Sequence, residues 1–294
     1  MASPSLAEVH DVVQAHLPGY RVRSVEQLGS GLDNIAYKVN GELVVRFSND
    51  PDQALLGKQA RLLSAVAGVS PLPVPEPVFV AAEHGCLAYF KLPGVPLLEV
   101  PRHRRSEVGT SIAARLGELL AVLHASPAQR WADLVDVDDQ PLAQWQREAA
   151  ETYGTVAEWI PASLRPDIET FLHAPSPPAR RELVFSHNDL GIEHVLIEPA
   201  SGTPTGIIDW GDAAITDPAH DFGLIYRDLG PGALREALDR YPIGGDDVAV
   251  LRERAVFYAR CSVFEDLAYG LQTGLDRYTE KCLASMDWLF PAGG

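Results

Sequence analysis

A chain of 294 residues, 46% of them hydrophobic, is long enough for one large domain or two modest ones with real cores. Its 24 basic residues against 40 acidic ones give a net charge of −16, which excludes a general attraction to nucleic-acid phosphate and better suits a cationic small molecule. Cys86, Cys261 and Cys282 stand alone without Cys-x-x-Cys spacing, so neither a disulfide framework nor a thiolate zinc site is expected; with acids and histidines in the N-terminal stretch and no apolar run of spanning length, the expectation is a cytoplasmic chain without a membrane.

Residues 5–17 carry apolar side chains at helical spacing (Leu6, Val9, Val12, Val13, Leu17), and Pro18-Gly19 ends the helix. Three strand-like runs follow at 21–29, 34–40 and 42–48, with Asn40-Gly41 the strongest hairpin signal. A helix is expected over 52–67, after which "PLPVPEP" (71–77) must run extended because each proline biases its predecessor away from helix. Two more strands are expected at 77–82 and 86–92. The segment "LPGVP" (92–96) breaks the pattern, and beyond it helices dominate, at 106–124, 141–159, 164–173, 232–240 and 246–273, interrupted by a hairpin around 195–209. The expected class is α+β: a small antiparallel β-rich lobe over 1–93 and a larger, mostly helical lobe over 94–294. A joint of that kind is where ligands ordinarily bind.

In the larger lobe, "FSHNDLGIEHVLIE" (185–198) gathers titratable groups between apolar flanks, and "GIIDWGD" (206–212) ends another apolar run in an aspartate. If 195–198 and 205–208 are the strands of a hairpin, pairing Val195 with Ile208 sets His194 beside Asp209, with Asp189 in the loop just before. A carboxylate and a neutral imidazole can hold a divalent cation, while a separate aspartate orients a hydroxyl and accepts its proton. Those are the parts that phosphoryl transfer requires.

"HNDLGIEH" resembles the catalytic loop of the protein-kinase-like antibiotic phosphotransferases, the aminoglycoside and macrolide phosphotransferase family, in which His-x-Asp is followed five residues on by a metal ligand, usually Asn. "IIDW" resembles their metal-binding motif, and "DPAHDF" (217–222) the segment that buttresses the loop. The resemblance implies a two-lobed protein-kinase-like fold using Mg2+ and ATP or GTP. It makes Asp189 the base, His194 and Asp209 the metal ligands, Asp221 an acceptor for the loop backbone and His187 a brace. A histidine at position 194 is similar to the aminoglycoside 2″-phosphotransferases and the macrolide phosphotransferases, both associated with GTP.

In the small lobe the same resemblance makes the Gly-bearing turn in "LGSGLDNIAYKV" (28–39) a phosphate cover through the backbone of Ser30 and Gly31. It puts Arg46 where a lysine usually meets the phosphates, Gln59 where that lysine's glutamate partner usually stands, and the backbone of Phe90, Lys91 and Leu92 against the purine edge. For the acceptor, the acids Asp212, Asp217, Glu265 and Asp266 suit the ammonium groups of an aminoglycoside. Phe257, Tyr258, Phe264 and Tyr269 would suit the apolar bowl of a macrolide. The leading expectation is nucleoside-triphosphate-dependent phosphorylation of a hydroxyl on a small antibiotic, foremost an aminoglycoside. The alternatives are a macrolide kinase, a kinase for a small alcohol of the choline or homoserine type, and a non-catalytic nucleotide binder.

Overall fold

Ser5 opens the first helix with a reciprocal cap: its hydroxyl accepts from the Glu8 N–H at 3.2 Å while the Glu8 carboxylate accepts from the Ser5 N–H at 2.7 Å. This is a computed structural model, and it describes residues 4–30, 34–49, 53–178, 182–242 and 245–291. The chain divides into two units, one of Met1–Pro93 with Gly206–Gly211, the other of Gly94–Thr205 with Asp212–Gly294.

In the first unit, α1 (Leu6–His16) is followed by β1 (Val25–Ser30), β2 (Asn34–Val39) and β3 (Leu43–Ser48), then α2 (Gln53–Ala67), β4 (Pro77–Ala81) and β5 (Cys86–Phe90). The strands form one antiparallel sheet in the order β1-β2-β3-β5-β4. The Asn40-Gly41 turn forms as the sequence demands, with Asn40 at φ 52° and Gly41 at φ 80°, both left-handed, and the Glu42 N–H closing it on the Val39 carbonyl at 3.1 Å, so that three residues separate the paired Val39 and Leu43. The Asn40 side chain then accepts the Arg23 and Ser24 N–H groups at 2.7 and 3.1 Å. Val9, Val12 and Val13 of α1 pack with Tyr37, Val39, Leu43 and Val45 into a core. The segment Gly206–Gly211 joins this unit through the Ile207 N–H, which donates to the Pro73 carbonyl at 2.9 Å.

The second unit holds β6 (Val95–Pro96), α3 (Arg102–Ala125), β7 (Asp136–Val137), α4 (Leu142–Val156), α5 (Arg165–His173), β8 (Val184–Ser186) and β9 (Val195–Ile197). After β10 (Pro204–Ile207) come β11 (Ala214–Thr216), α6 (Ala219–Asp239), α7 (Gly245–Thr273) and α8 (Asp276–Leu289). The hairpin strands β9 and β10 adjoin in a three-stranded sheet with β6, and β10 ends one residue before Ile208. Two differences from the sequence expectation stand out. The helix expected at 232–240 begins at Ala219 and runs through a kink at Gly230 (φ 83°) and Pro231, so only its second half carried a clean helical pattern. Helix α8 has no counterpart among the expected elements, because its inward face includes Lys281 and Ser285 as well as Cys282, Met286 and Leu289. That mixture hides the apolar stripe.

By length and composition α3 passes the test for a membrane-crossing helix, yet Ile112, Leu116, Leu119, Leu120 and Leu123 are buried in the protein core. All three cysteines are free and buried, and burial pushes the Cys86 thiol up to about 12.

Glycine sets the helix spacing. A Cβ on Gly117 of α3 would lie 2.3 Å from the Ala237 carbonyl oxygen of α6, and one on Gly223 of α6 would lie 2.8 Å from the Ala255 carbonyl oxygen of α7. Both obstacles are backbone, so neither can swing aside. We expect Gly117→Ala to destabilise the protein by about 1–3 kcal/mol, the usual cost of overpacking, in urea-unfolding measurements. Gly154→Ala, in an exposed part of α4 where nothing lies within 4 Å, is the control and should stabilise by up to about 1 kcal/mol.

Candidate active site

The loop that follows β8 is held from both ends. Before it, Phe185 stacks on Trp131 with ring centroids 3.8 Å apart and planes 6° from parallel, both rings fully buried. Behind it, Asp221, in the first turn of α6, accepts the His187 N–H at 2.9 Å and the Asn188 N–H at 3.3 Å. Asp221 is buried, and burial pushes its carboxyl up to about 7 against the opposing pull of those N–H groups. Asn188 sits at φ 65°, a left-handed conformation that asparagine tolerates better than most residues. This turn brings the Asp189 N–H to His187 Nδ1 at 3.2 Å. His187 is thus a buried brace, as expected.

Asp189 and His194 meet across the loop. His194 Nδ1 lies 2.8 Å from the Asp189 carbonyl oxygen and 3.3 Å from its carboxylate. A carbonyl can only accept, so the hydrogen resides on Nδ1 and Nε2 is the ring atom with a lone pair. Burial, reinforced by Glu193 and Asp212, pushes the Asp189 carboxyl up to about 6 even though His194 and Arg227 pull it down. A carboxylate of that basicity accepts a proton from a hydroxyl more readily than an ordinary one.

Beneath the loop lies an ionic cluster that the sequence did not announce. Glu193 of the loop, Arg227 and Asp228 of α6, Asp266 of α7 and Lys281 of α8 converge there, and both cations are buried. Asp228 also accepts the Ile192 N–H at 3.1 Å and is held well below the usual carboxylate range by Arg227 and Lys281, which outweigh its burial. The only sequence signal for it was an Arg-Asp pair interrupting the apolar run of α6.

In the first unit, Arg46 on β3 points its guanidinium at Asp209, 3.4 Å from the carboxylate, and also bonds the Tyr89 hydroxyl of β5. Asp209 takes φ 62° at the end of the 206–209 run, and Trp210, buried immediately after it, donates its indole N–H to the Ile207 carbonyl at 3.2 Å. The sequence left open whether Gln59 partners Arg46; Asp209 and Tyr89 hold the guanidinium. Of the three backbone groups expected at the purine edge, the Lys91 N–H is taken by the Glu42 carbonyl at 2.7 Å. Phe90 is 47% exposed, whereas the Leu92 side chain lies over Gly206. Ser30 closes β1, and Gly31 lies outside the described residues.

The acceptor candidates separate. Asp212 and Glu265 are exposed, and partial burial followed by the neighbouring Asp266 pushes the Glu265 carboxyl up. Asp266 is corrected as a free acceptor group, since its carboxylate lies 2.9 Å from Lys281 Nζ and 3.0 Å from Arg227. Asp217 is likewise internal, paired to the buried Arg254 at 2.8 Å. Phe257, Tyr258 and Phe264 are core residues, and only Tyr269 of the four aromatics is exposed.

No three His, Cys, Asp or Glu side chains among the described residues cluster closely enough to hold an ion by themselves. Asp209 is nevertheless a hard oxygen donor with a 43% exposed side chain, which suits magnesium, an ion that takes one or two carboxylates and completes its shell with phosphate and water. His194 offers Nε2, a softer donor.

Residues 24–255 match the phosphotransferase enzyme family known as APH. The chain belongs to this family. Among curated relatives, a viomycin phosphotransferase from Streptomyces vinaceus is 26% identical over 233 residues, 72% of this chain and 79% of that one. An aminoglycoside 3′-phosphotransferase from Streptomyces fradiae is 27% identical over 205 residues, 64% of this chain and 71% of that one. The fold is shared with the GDP complex of aminoglycoside 2′-phosphotransferase-IIIa, at a TM-score of 0.71 and 23% identity, covering 97% of this chain and 98% of that one. A macrolide 2′-phosphotransferase from Brachybacterium faecium gives 0.61, also at 23% identity, covering 96% and 98%. This APH-family chain is accordingly an enzyme of the kinase-like α+β fold.

Its Asp189 generates a stability prediction. A carboxyl raised to about 6 in the folded state binds more protons than its unfolded counterpart, near ~4, so stability falls as pH rises through that window. Asp189→Asn should raise the melting temperature of the metal-free protein at pH 7.5 and leave it unchanged at pH 4. An equal shift at both values in scanning calorimetry would contradict the raised carboxyl.

Proposed function

We propose that this APH-family enzyme transfers a phosphoryl group from ATP or GTP to a hydroxyl of a cationic antibiotic. The observation that carries the proposal is the Asp189–His194 pair: a carboxyl raised to about 6, beside an imidazole whose Nδ1 hydrogen is committed to the Asp189 carbonyl. Asp189 orients the acceptor hydroxyl and takes its proton. His194, through Nε2, and Asp209 would hold a divalent cation. Bound there, such an ion neutralises the phosphate oxygens. Arg46 faces the same carboxylate of Asp209 and meets the nucleotide phosphates by a bidentate fork. The backbone of Ser30 covers the phosphates, while Phe90 and Leu92 flank the base.

A cationic acceptor is supported by the exposed acids Asp212 and Glu265, by the charge of −16, and by relatives named for viomycin and aminoglycosides. The burial of Phe257, Tyr258 and Phe264 removes most of the apolar bowl a macrolide would need. A panel of peptide and aminoglycoside antibiotics, macrolides and small alcohols, incubated with ATP or GTP and magnesium and read by mass for an added phosphate, tests the proposal directly. Phosphorylation of choline or homoserine alone would replace it with a metabolite kinase.

Two variants check the roles. Asp189→Asn should lower turnover by about 10²-fold or more while leaving nucleotide affinity near the parent value, because the proton acceptor is lost and the phosphate site is not. Asp209→Ala should abolish the magnesium-dependent part of nucleotide affinity, measured by calorimetry with and without the ion. The acceptor's Michaelis constant should also rise with ionic strength, and Glu265→Gln should flatten that slope. A salt-independent constant would exclude an acceptor held by several carboxylates.

A further inference from the structure

We infer that Lys281, on the C-terminal helix α8, is a positioning residue that sets the shape of the catalytic loop through Glu193; the inference rests on the phosphotransferase reading of that loop. Lys281 Nζ lies 2.6 Å from Glu193, 2.9 Å from Asp266 and 3.5 Å from Asp228, with its side chain only 3% exposed. It also caps the Tyr278 ring at 4.9 Å. One ammonium thus joins the loop, α6 and α7 to the last helix. Glu193 immediately precedes His194 and follows the Ile192 N–H that Asp228 accepts, so two consecutive loop residues are tied to the cluster.

The loop is shaped to permit this contact. Glu193 folds back over Gly191, where a Cβ would lie 2.5 Å from its carboxylate, and a side chain at 191 would displace that carboxylate. Arg227 alone does not replace the ammonium: it is 3.8 Å from Glu193, against 2.8 Å from Asp228. Removing Lys281 leaves three carboxylates around one cation in a buried site, and the loop carboxylate is the one without a close partner. Repulsion then pushes Glu193 outward and takes Asp189 and His194 with it.

The test uses a charge-balanced double variant, Glu193→Gln with Lys281→Met, because Lys281→Met alone strands a buried carboxylate and can fail to fold. The double variant removes one cation and one anion, leaving the charge of the cluster unchanged. Turnover should fall about 10–100-fold, the range for loss of a side chain that orients a site residue, with the nucleotide Michaelis constant within about twofold. Amide hydrogen exchange over 187–194 should speed up about tenfold while the amides of α3 stay protected. Unchanged loop exchange overturns the inference, and so does faster exchange with parental turnover, or a lowered melting temperature with parental turnover per folded molecule. If the parent phosphorylates no acceptor, the phosphotransferase reading fails on its own. Loop exchange and nucleotide hydrolysis by water then decide the role of Lys281.

Discussion

Two cations and three carboxylates share a buried space beneath the loop that follows β8, and the loop's geometry depends on their mutual neutralisation. Taking such groups out of water is costly, and only close pairing compensates. The distances here, 2.6 to 3.0 Å for the shortest contacts, provide it. Because the five charges come from the loop, α6, α7 and α8, none of these helices can shift without separating a pair. Asp221 adds a second hold on the loop backbone from the start of α6, the helix that also carries Arg227 and Asp228.

That rigidity allows unfavourable conformations to persist where chemistry needs them. Among the described non-glycine residues only Asn40, Asn188 and Asp209 have positive φ, and Asn40 is explained by its hairpin turn. The other two occupy the loop after β8 and the turn after β10. Each such residue costs about 1–2 kcal/mol and survives because its surroundings fix it: Asn188 by Asp221, Asp209 by the buried Trp210 and its bond to Ile207. A basic carboxylate at Asp189 is likewise maintained by burial and neighbouring acids at the expense of stability.

The sequence made the fold class and the loop legible because both depend on local signals. Asn40-Gly41, the prolines of 71–77 and the spacing of Asp189 to His194 each act within a few residues. What escaped was non-local. Gln59 stood at the expected helix position, yet Arg46 turned to Asp209, 163 residues away in sequence. Asp266 was read from its helix as available, whereas α8, itself hidden by Lys281 on its inward face, supplies the cation that engages it. A charge read along the chain carries no sign of whether its partner is water or a buried lysine.

The kink at Gly230 and Pro231 divides α6 into two segments with separate azimuths. The first bears Asp221, Arg227 and Asp228; the second meets α3 where Gly117 approaches Ala237. In an unbroken helix, inserting or deleting one residue would rotate everything beyond it by about 100°. Here the helical phase is interrupted between the charges that hold the loop and the face that packs the core. The second half can therefore drift in length and sequence without turning the first away from its partners.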